Sequence, residues 1–174
     1  KRIISRLDIK NGILVKGISL EGLRKLGDPI FFSKKYYNDN VDEIHFQDVV
    51  ATLYGRDILF NIIEKISRKI FVNVSVGGGI KNEHDIDNLL RLGCDKVVIN
   101  SEAVRNPNFL DISVKKYGSS TICLAVETIK INNNYEVMID TGREKTGLKL
   151  FDWVQKAQDI GVGEINVTEI TSEG

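Results

Sequence analysis

Apolar and polar residues follow two patterns that alternate along this chain. Short runs rich in β-branched residues predict strands at 2–9, 42–50, 70–76, 95–100, 120–130 and 163–169. Between them, apolar residues recur at helical spacing and predict helices at 29–39, 57–69, 82–93, 107–117 and 148–161. Such an alternation is typical of βα units that build a parallel sheet.

Residues at the helix ends support these assignments. Asp28 is a candidate N-cap before Pro29, which suits a first helical position. Asn82 is a candidate N-cap with an acidic residue three positions later. Gly93 and Gly118 follow the last periodic residues of their helices and predict C-terminal stops.

Successive right-handed crossovers leave two architectures, an open doubly wound sheet or a closed (β/α)8 TIM barrel. Polar residues at the ends of the predicted strands favour the barrel, because there these ends meet at one face. Six strands would leave that barrel truncated after strand six, so we expect a fragment of a longer chain. We predict one barrel domain over 1–174, with 1–118 as the first half-barrel and 119–174 as part of the second.

Composition narrows the possible partners. Of 174 residues, 42% are hydrophobic, and 24 basic residues balance 24 acidic ones, so no nucleic-acid or membrane partner is expected. Apolar runs are too short for a membrane span or a signal peptide, which predicts a cytoplasmic protein. Cys94 and Cys123 lie in apolar runs and are expected to be reduced core residues. With only two histidines we expect no metal and no cofactor.

Three successive glycines predict an anion site. Gly77, Gly78 and Gly79 come directly after the third strand and just before the third helix. Backbone amides without side chains approach an anion closely, and a helix N-terminus supplies further donors. Asn100 and Ser101 end the next strand and would add donors to the same phosphate. The alternative is that the glycines only form a tight turn.

Two acids occupy matching positions. Asp8 ends strand one within SRLDIK, and Glu127 ends strand five within LAVETIK. In an eight-stranded barrel these strands lie opposite each other, so the acids would face one another across the mouth and serve as general acid and general base. The alternative is a turn-capping Asp and a surface Glu. The matched segments also indicate a duplicated half-barrel.

Other charged and polar residues mark the two ends of the predicted barrel. Lys16 lies in a glycine-flanked loop that would close over a phosphorylated substrate, unless it is an ordinary surface lysine. Asp48 and Thr168 end strands two and six and are predicted to lie at the mouth. Four charges at strand beginnings would gather at the opposite end, as an ion-pair plug on physical grounds alone: Arg2, Glu43, Lys96 and Glu164.

Several segments together resemble one family over the whole chain, in order and in spacing. They are IISRLDIKNGILVKG, GDP, VGGGI, GCDKVVINSEAVRNP, DTGREKTG and GVGEINVT, and they resemble the cyclase subunit of imidazole glycerol phosphate synthase. The resemblance implies a barrel of two fused half-barrels. It also implies a heterodimer with a glutaminase subunit, whose ammonia travels up the barrel to a phosphoribulosyl aminoimidazole carboxamide ribotide. The products would be imidazole glycerol phosphate and aminoimidazole carboxamide ribotide.

The resemblance also assigns roles. It implies that Asp8 and Glu127 are the catalytic acids and Lys16 the loop lysine, with the first phosphate site at Gly79, Asn100 and Ser101. The four charges at strand beginnings become an ammonia gate, and Asp95 falls at the glutaminase interface.

Five positions depart from that family. Glu127 replaces an Asp, Arg6 stands where the cyclases carry a small or thiol residue, Gln47 replaces an apolar residue, and Thr171 and Glu173 replace acids. The segments RLDIK, LEGLRKLGDP and LYGRD are more similar to a cyclase-like side branch found with surface-polysaccharide genes. That branch implies an alternative in which ammonia serves amidination of a sugar. A non-catalytic scaffold subunit and a phosphoribosyl isomerase are further alternatives, but Asp8 and the gate charges argue against them.

Overall fold

The computed structural model describes residues 1–50 and 57–173 and divides into two compact units. The first unit comprises Lys1–Lys16 and Leu23–Val97, and the second comprises Gly17–Gly22 and Val98–Gly174. Most of the LYGRD segment lies outside the described residues. Among those that are described, no helix is both long and apolar enough to cross a membrane.

The first unit is built of strands and helices in alternation. Its elements are β1 (Ile4–Lys10), β2 (Ile13–Ile18), β3 (Glu21–Gly27), α1 (Pro29–Asn38), β4 (Glu43–Asp48), α2 (Asp57–Ser67), β5 (Asn73–Gly77), α3 (Glu83–Arg91) and β6 (Lys96–Ile99). The strand order is β3-β2-β1-β4-β5-β6. β4 is parallel to both β1 and β5, as the βα pattern predicts, whereas β2 returns antiparallel to β1.

Register separates the two faces of this parallel sheet. Leu7 lies beside Phe46, which lies beside Val76, and all three are buried. Successive side chains of a strand point to opposite faces, so the intervening polar residues share the other face. Helix α1 packs against β1, β4 and α2.

The predicted helix caps are confirmed. The Asp28 side chain accepts from the backbone of Ile30 at 2.9 Å, and Pro29 opens α1. Asn82 and Asp85 form a reciprocal capping box at the start of α3, which satisfies two backbone donors that the helix leaves over. Gly118 ends α5 with a φ of 89°.

The second unit has a parallel strand pair with an added antiparallel hairpin. Its elements are α4 (Ser101–Arg105), α5 (Pro107–Tyr117), β7 (Ile122–Ile131), β8 (Asn134–Ile139), β9 (Glu144–Lys149), α6 (Leu150–Ile160), β10 (Glu164–Glu169) and a 3-10 turn at Ile170–Ser172. β7 is parallel to β10 and antiparallel to β8.

The structure adds elements that the periodicity did not predict. The six predicted strands correspond to β1, β4, β5, β6, β7 and β10, and the two glycine-punctuated segments contain β2–β3 and β8–β9. Helix α4 was missed because five residues are too short to show a helical period. Cys94 and Cys123 are buried as predicted, and burial raises the pKa of the Cys94 thiol to about 12.

Candidate functional site

One face of the first unit's sheet carries polar side chains in rows across neighbouring strands. We call this the polar face and define it by Arg6, Asp8, Glu43, His45, Gln47 and Ser75. Arg6, His45 and Ser75 lie side by side on β1, β4 and β5, and Asp8, Gln47 and Gly77 form the next row toward the strand ends. Glu43 begins β4 one row earlier. The polar face therefore extends from the beginnings of these strands, at Glu43, to their ends, at Asp8 and Gln47.

Asp8, the first predicted catalytic acid, is buried near the end of β1, with 8% of its surface exposed. Its Oδ1 accepts a hydrogen bond from Arg6 Nε at 2.7 Å. A charge-assisted bond of this length is among the stronger polar interactions in proteins. The carboxylate is thus enclosed and held from one side.

His45 lies at the centre of the polar face and is held as a neutral imidazole. Gln47 Nε2 donates to the Asp48 carbonyl at 3.4 Å, so Gln47 Oε1 faces His45 Nε2 at 3.2 Å. Because that oxygen only accepts, Nε2 carries the proton and Nδ1 accepts from the Ser75 hydroxyl at 3.2 Å. Burial first, and then the Arg6 charge, lower the pKa of His45 to about 4.

Three of the predicted gate residues meet in the first unit. Glu43 Oε2 binds Lys96 Nζ at 2.6 Å and Arg2 NH1 at 3.3 Å. Glu43 and Lys96 are 2% and 8% exposed, whereas 49% of the Arg2 side chain is exposed. The pair at the strand beginnings is therefore a buried ion pair, with Arg2 at its edge.

The glycine turn after β5 lies tightly against the end of β4. A Cβ on Gly78 would come within 2.3 Å of the Asp48 carbonyl oxygen, and Gly78 has a φ of 108°. Gly79 also has a positive φ, of 61°. The tight-turn explanation of the glycines therefore holds at Gly78, while phosphate binding stays a prediction.

The remaining predicted residues of the first unit lie nearer the surface. Asp95 Oδ2 accepts from the backbone of Val74 at 2.8 Å and so joins the start of β6 to β5. Lys16 is exposed on β2.

In the second unit, Glu127 lies on β7 with 8% of its surface exposed, and Thr168 of β10 is its register neighbour. Glu164 Oε2 accepts from the Cys123 thiol at 3.8 Å. The structure therefore brings Glu127 beside Thr168 at one end of the parallel pair. Glu164 lies at the other end, where β10 begins.

Asn100 and Ser101 begin the short helix α4. Ser101 Oγ accepts from the backbone of Asp140 at 3.0 Å, which ties this helix start to the turn after β8. Asn100 Oδ1 is buried and makes no hydrogen bond among the described residues. A buried amide oxygen without a donor is costly, and a ligand with a hydrogen-bond donor would relieve that cost.

Sequence reasoning missed the roles of His45 and Ser75 and saw Arg6 only as a departure. The signal was present in β4, where EIHFQ, residues 43–47, alternates between polar and apolar residues. Within the described residues, no group of three or more His, Cys, Asp or Glu is placed to hold a metal ion.

Comparisons with known proteins agree over nearly the entire chain. A family model described as "Histidine biosynthesis protein" matches residues 2–174. A protein of Campylobacter concisus named "Imidazole glycerol phosphate synthase subunit HisF" is 41% identical, over 100% of this chain and 69% of the relative. Proteins of the same name from Legionella pneumophila and Petrotoga mobilis are each 42% identical. They cover 99% and 100% of this chain, and 82% and 70% of the relatives.

Proposed function

The chain belongs to the histidine biosynthesis protein family, and we propose that it is the cyclase subunit of a glutamine-dependent imidazole glycerol phosphate synthase. It uses ammonia to convert a phosphoribulosyl aminoimidazole carboxamide ribotide into imidazole glycerol phosphate and aminoimidazole carboxamide ribotide. The observation that carries this proposal is the identity of about two residues in five, over the whole chain, to synthase subunits of that name. The fold is of the predicted α/β class, of the (β/α)8 barrel type.

The similarity favours this reaction over amidination of a sugar. The relatives reported above all carry the name of the synthase subunit, and none of them is named for a role in surface-polysaccharide synthesis. Both functions would use ammonia, so the difference between them lies in the substrate that accepts it.

The relatives are named as subunits, so the chain is part of a multi-subunit enzyme. We assign the other subunit as a glutaminase that docks at the strand beginnings and delivers ammonia there. Glu43, Lys96 and Arg2 support an ion-pair gate at this end, with Glu164 as its fourth member and Asp95 at the interface. A buried pair that must separate for ammonia to pass keeps water out when the partner is inactive.

The chemistry of the proposed reaction is proton transfer around a ring closure. Asp8 and Glu127 act as general base and general acid, because both are buried carboxylic acids, Asp8 near the end of β1 and Glu127 near the end of the pairing between β7 and β10. Lys16, whose side chain is exposed on β2, binds the polar substrate from the loop side. We also assign Asp48 and Thr168 to the mouth of the site, and the position of Thr168 beside Glu127 in register supports its assignment.

One phosphate of the substrate binds at Gly78, Gly79, Asn100 and Ser101. Two positive-φ glycines present backbone amides without side chains, and the buried Asn100 amide lacks a hydrogen bond at Oδ1. A singly protonated phosphate supplies the donor that this oxygen needs, and its other oxygens accept from the amides. We also propose that the first half-barrel ends at residue 118 and that residue 119 begins the second.

The test is turnover of the ribulosyl substrate by the full-length protein with ammonium chloride as the nitrogen source. We expect imidazole glycerol phosphate to form, and Asp8→Asn to lower kcat by about 10² to 10⁴-fold, as for loss of a general acid or base. Asp111→Asn, in an exposed pair with Lys115, is the matched control and should leave kcat unchanged. An absence of product at saturating ammonia would rule out the cyclase.

Glu127 offers a second test, because its side chain is one methylene longer than the acid that the family carries. In Glu127→Asp the carboxylate retracts by about an ångström, and we expect kcat to fall by up to about 10²-fold. Measured kcat above that of the wild type would show that the longer acid serves a different reaction.

A further inference from the structure

Arg6 has no role in the proposed function so far, although it bonds a catalytic acid directly. Arg6 and Asp8 are two residues apart on β1, so their side chains share the polar face. Arg6 Nε donates to Asp8 Oδ1 at 2.7 Å. Only 10% of the Asp8 side chain is exposed, against 34% of the Arg6 side chain. The bond is therefore shielded by the fold on the side of the acid.

The neighbours of Arg6 direct its charge toward Asp8. His45, its register neighbour on β4, is a neutral ring whose two nitrogens are engaged by Ser75 and Gln47. Glu43, the acid one row earlier on β4, bonds Lys96 at 2.6 Å. On this face, Asp8 is the carboxylate that receives the Arg6 hydrogen bond.

A hydrogen bond to one oxygen of a carboxylate restricts the rotation of the group, and this also sets the direction of the second oxygen. We propose that Arg6 is a positioning residue for the cyclase reaction, holding Asp8 Oδ1 so that Oδ2 faces the reacting atoms. This inference rests on the proposed cyclase function. It makes Arg6 a determinant of the chemical step and not of substrate binding.

The first experiment compares wild type, Arg6→Met and Arg6→Lys in ammonia-dependent turnover by the full-length protein. Arg6→Met keeps most of the side-chain length and removes the donor. We expect its kcat to fall about 10²-fold, as for a catalytic group misplaced by about an ångström, while KM for the ribulosyl substrate stays within about twofold. Arg6→Lys keeps the charge and a donor, so its kcat should lie between the two.

The second experiment asks whether Arg6 acts through Asp8. In an Asp8→Asn background, Arg6→Met should cause no further loss of kcat, because the group that it positions is already absent. Arg68→Met removes an arginine from an exposed pair with Glu64 on α2 and serves as the matched control, with kcat unchanged. Thermal unfolding of each variant checks that it is folded.

The outcomes separate the inference from the function on which it rests. A wild-type protein without ammonia-dependent turnover overturns both. A wild-type protein that turns over, together with an Arg6→Met variant of unchanged kcat, overturns the positioning role alone. A loss that appears in KM, or one that persists in the Asp8→Asn background, likewise contradicts it. If Arg6→Met does not fold, the split between kcat and KM in Arg6→Lys decides.

Discussion

The buried ion pair between Glu43 and Lys96 predicts a large cost for removing one charge. Glu43 is 2% exposed and Lys96 is 8% exposed, and their side chains bond at 2.6 Å. In Glu43→Gln the Lys96 ammonium keeps its burial but loses the negative charge that Glu43 places 2.6 Å away. Breaking a buried pair in this way costs about 3–5 kcal/mol of folding free energy.

Two comparisons sharpen that prediction. Arg2 bonds the same Glu43 oxygen at 3.3 Å, but 49% of its side chain is exposed, so Arg2→Met should cost about 1 kcal/mol or less. The double variant Glu43→Leu with Lys96→Met replaces both charges by apolar groups. It should recover most of the stability, because neither charge is then buried alone.

The assay is urea unfolding of the full-length protein, with the midpoint and the slope fitted for each variant. For a protein of this size, 3 kcal/mol corresponds to a fall in Tm of about 6–12 °C. The reasoning would be refuted by a Glu43→Gln variant that loses less than about 1 kcal/mol, a value typical of an exposed pair. A double variant whose loss equals the sum of the single losses would refute it equally.

Two further predictions concern the strand ends and the centre of the polar face. Gly78→Ala should destabilise the protein by more than about 1 kcal/mol, because the added Cβ would lie 2.3 Å from the Asp48 carbonyl oxygen. A Cβ at Gly22 would have no atom within 4 Å, so Gly22→Ala should reduce the free energy of unfolding by less. Urea unfolding of the two variants makes the comparison. His45 has a pKa lowered from 6.5 to about 4, so the unfolded chain binds its proton more readily. The contribution of neutral His45 to the free energy of unfolding should be fully present above pH 6.5 and should fall by about 3 kcal/mol as the pH drops toward 4. The variant His45→Gln, but not His84→Gln, should abolish this pH dependence. A loss of stability of the same size in His45→Gln over that pH range would contradict the assignment.

The elements that the sequence predicted well are those whose periodicity is long. Helices α3 and α5 were located by their caps and glycine stops as well as by their apolar spacing. Helix α4 and the pair β2–β3 were not, because five residues show no period and a glycine-rich segment fits either a loop or a hairpin. Backbone propensity is a local property, so it indicates where a short strand can form but not which other strand it pairs with.

The candidate site shows the same division between local and non-local information. The closeness of Glu43 and Lys96, 53 positions apart in sequence, followed from placing both at strand beginnings, and the structure joins them in one ion pair. The bond from Arg6 to Asp8 was not foreseen, although the two are only two residues apart, because the direction of an arginine side chain depends on its neighbours. Those neighbours belong to β4 and β5, and their register is set by tertiary packing.

Arg6 and Gln47, two of the residues that the sequence marked as departures, both lie beside His45 in the structure. Burial of the ring, and then the charge of Arg6 beside it in register, lower the pKa of His45 and keep it neutral. Gln47 then fixes the tautomer, because its amide is oriented by the Asp48 carbonyl and offers only an acceptor to Nε2. An apolar residue in place of Gln47 would leave one of the two ring nitrogens of His45 without this hydrogen-bond partner, at a cost of about 1–3 kcal/mol. The His45 ring is thus neutral and bonded at both nitrogens, so it does not compete for the guanidinium of Arg6, which donates to Asp8 instead.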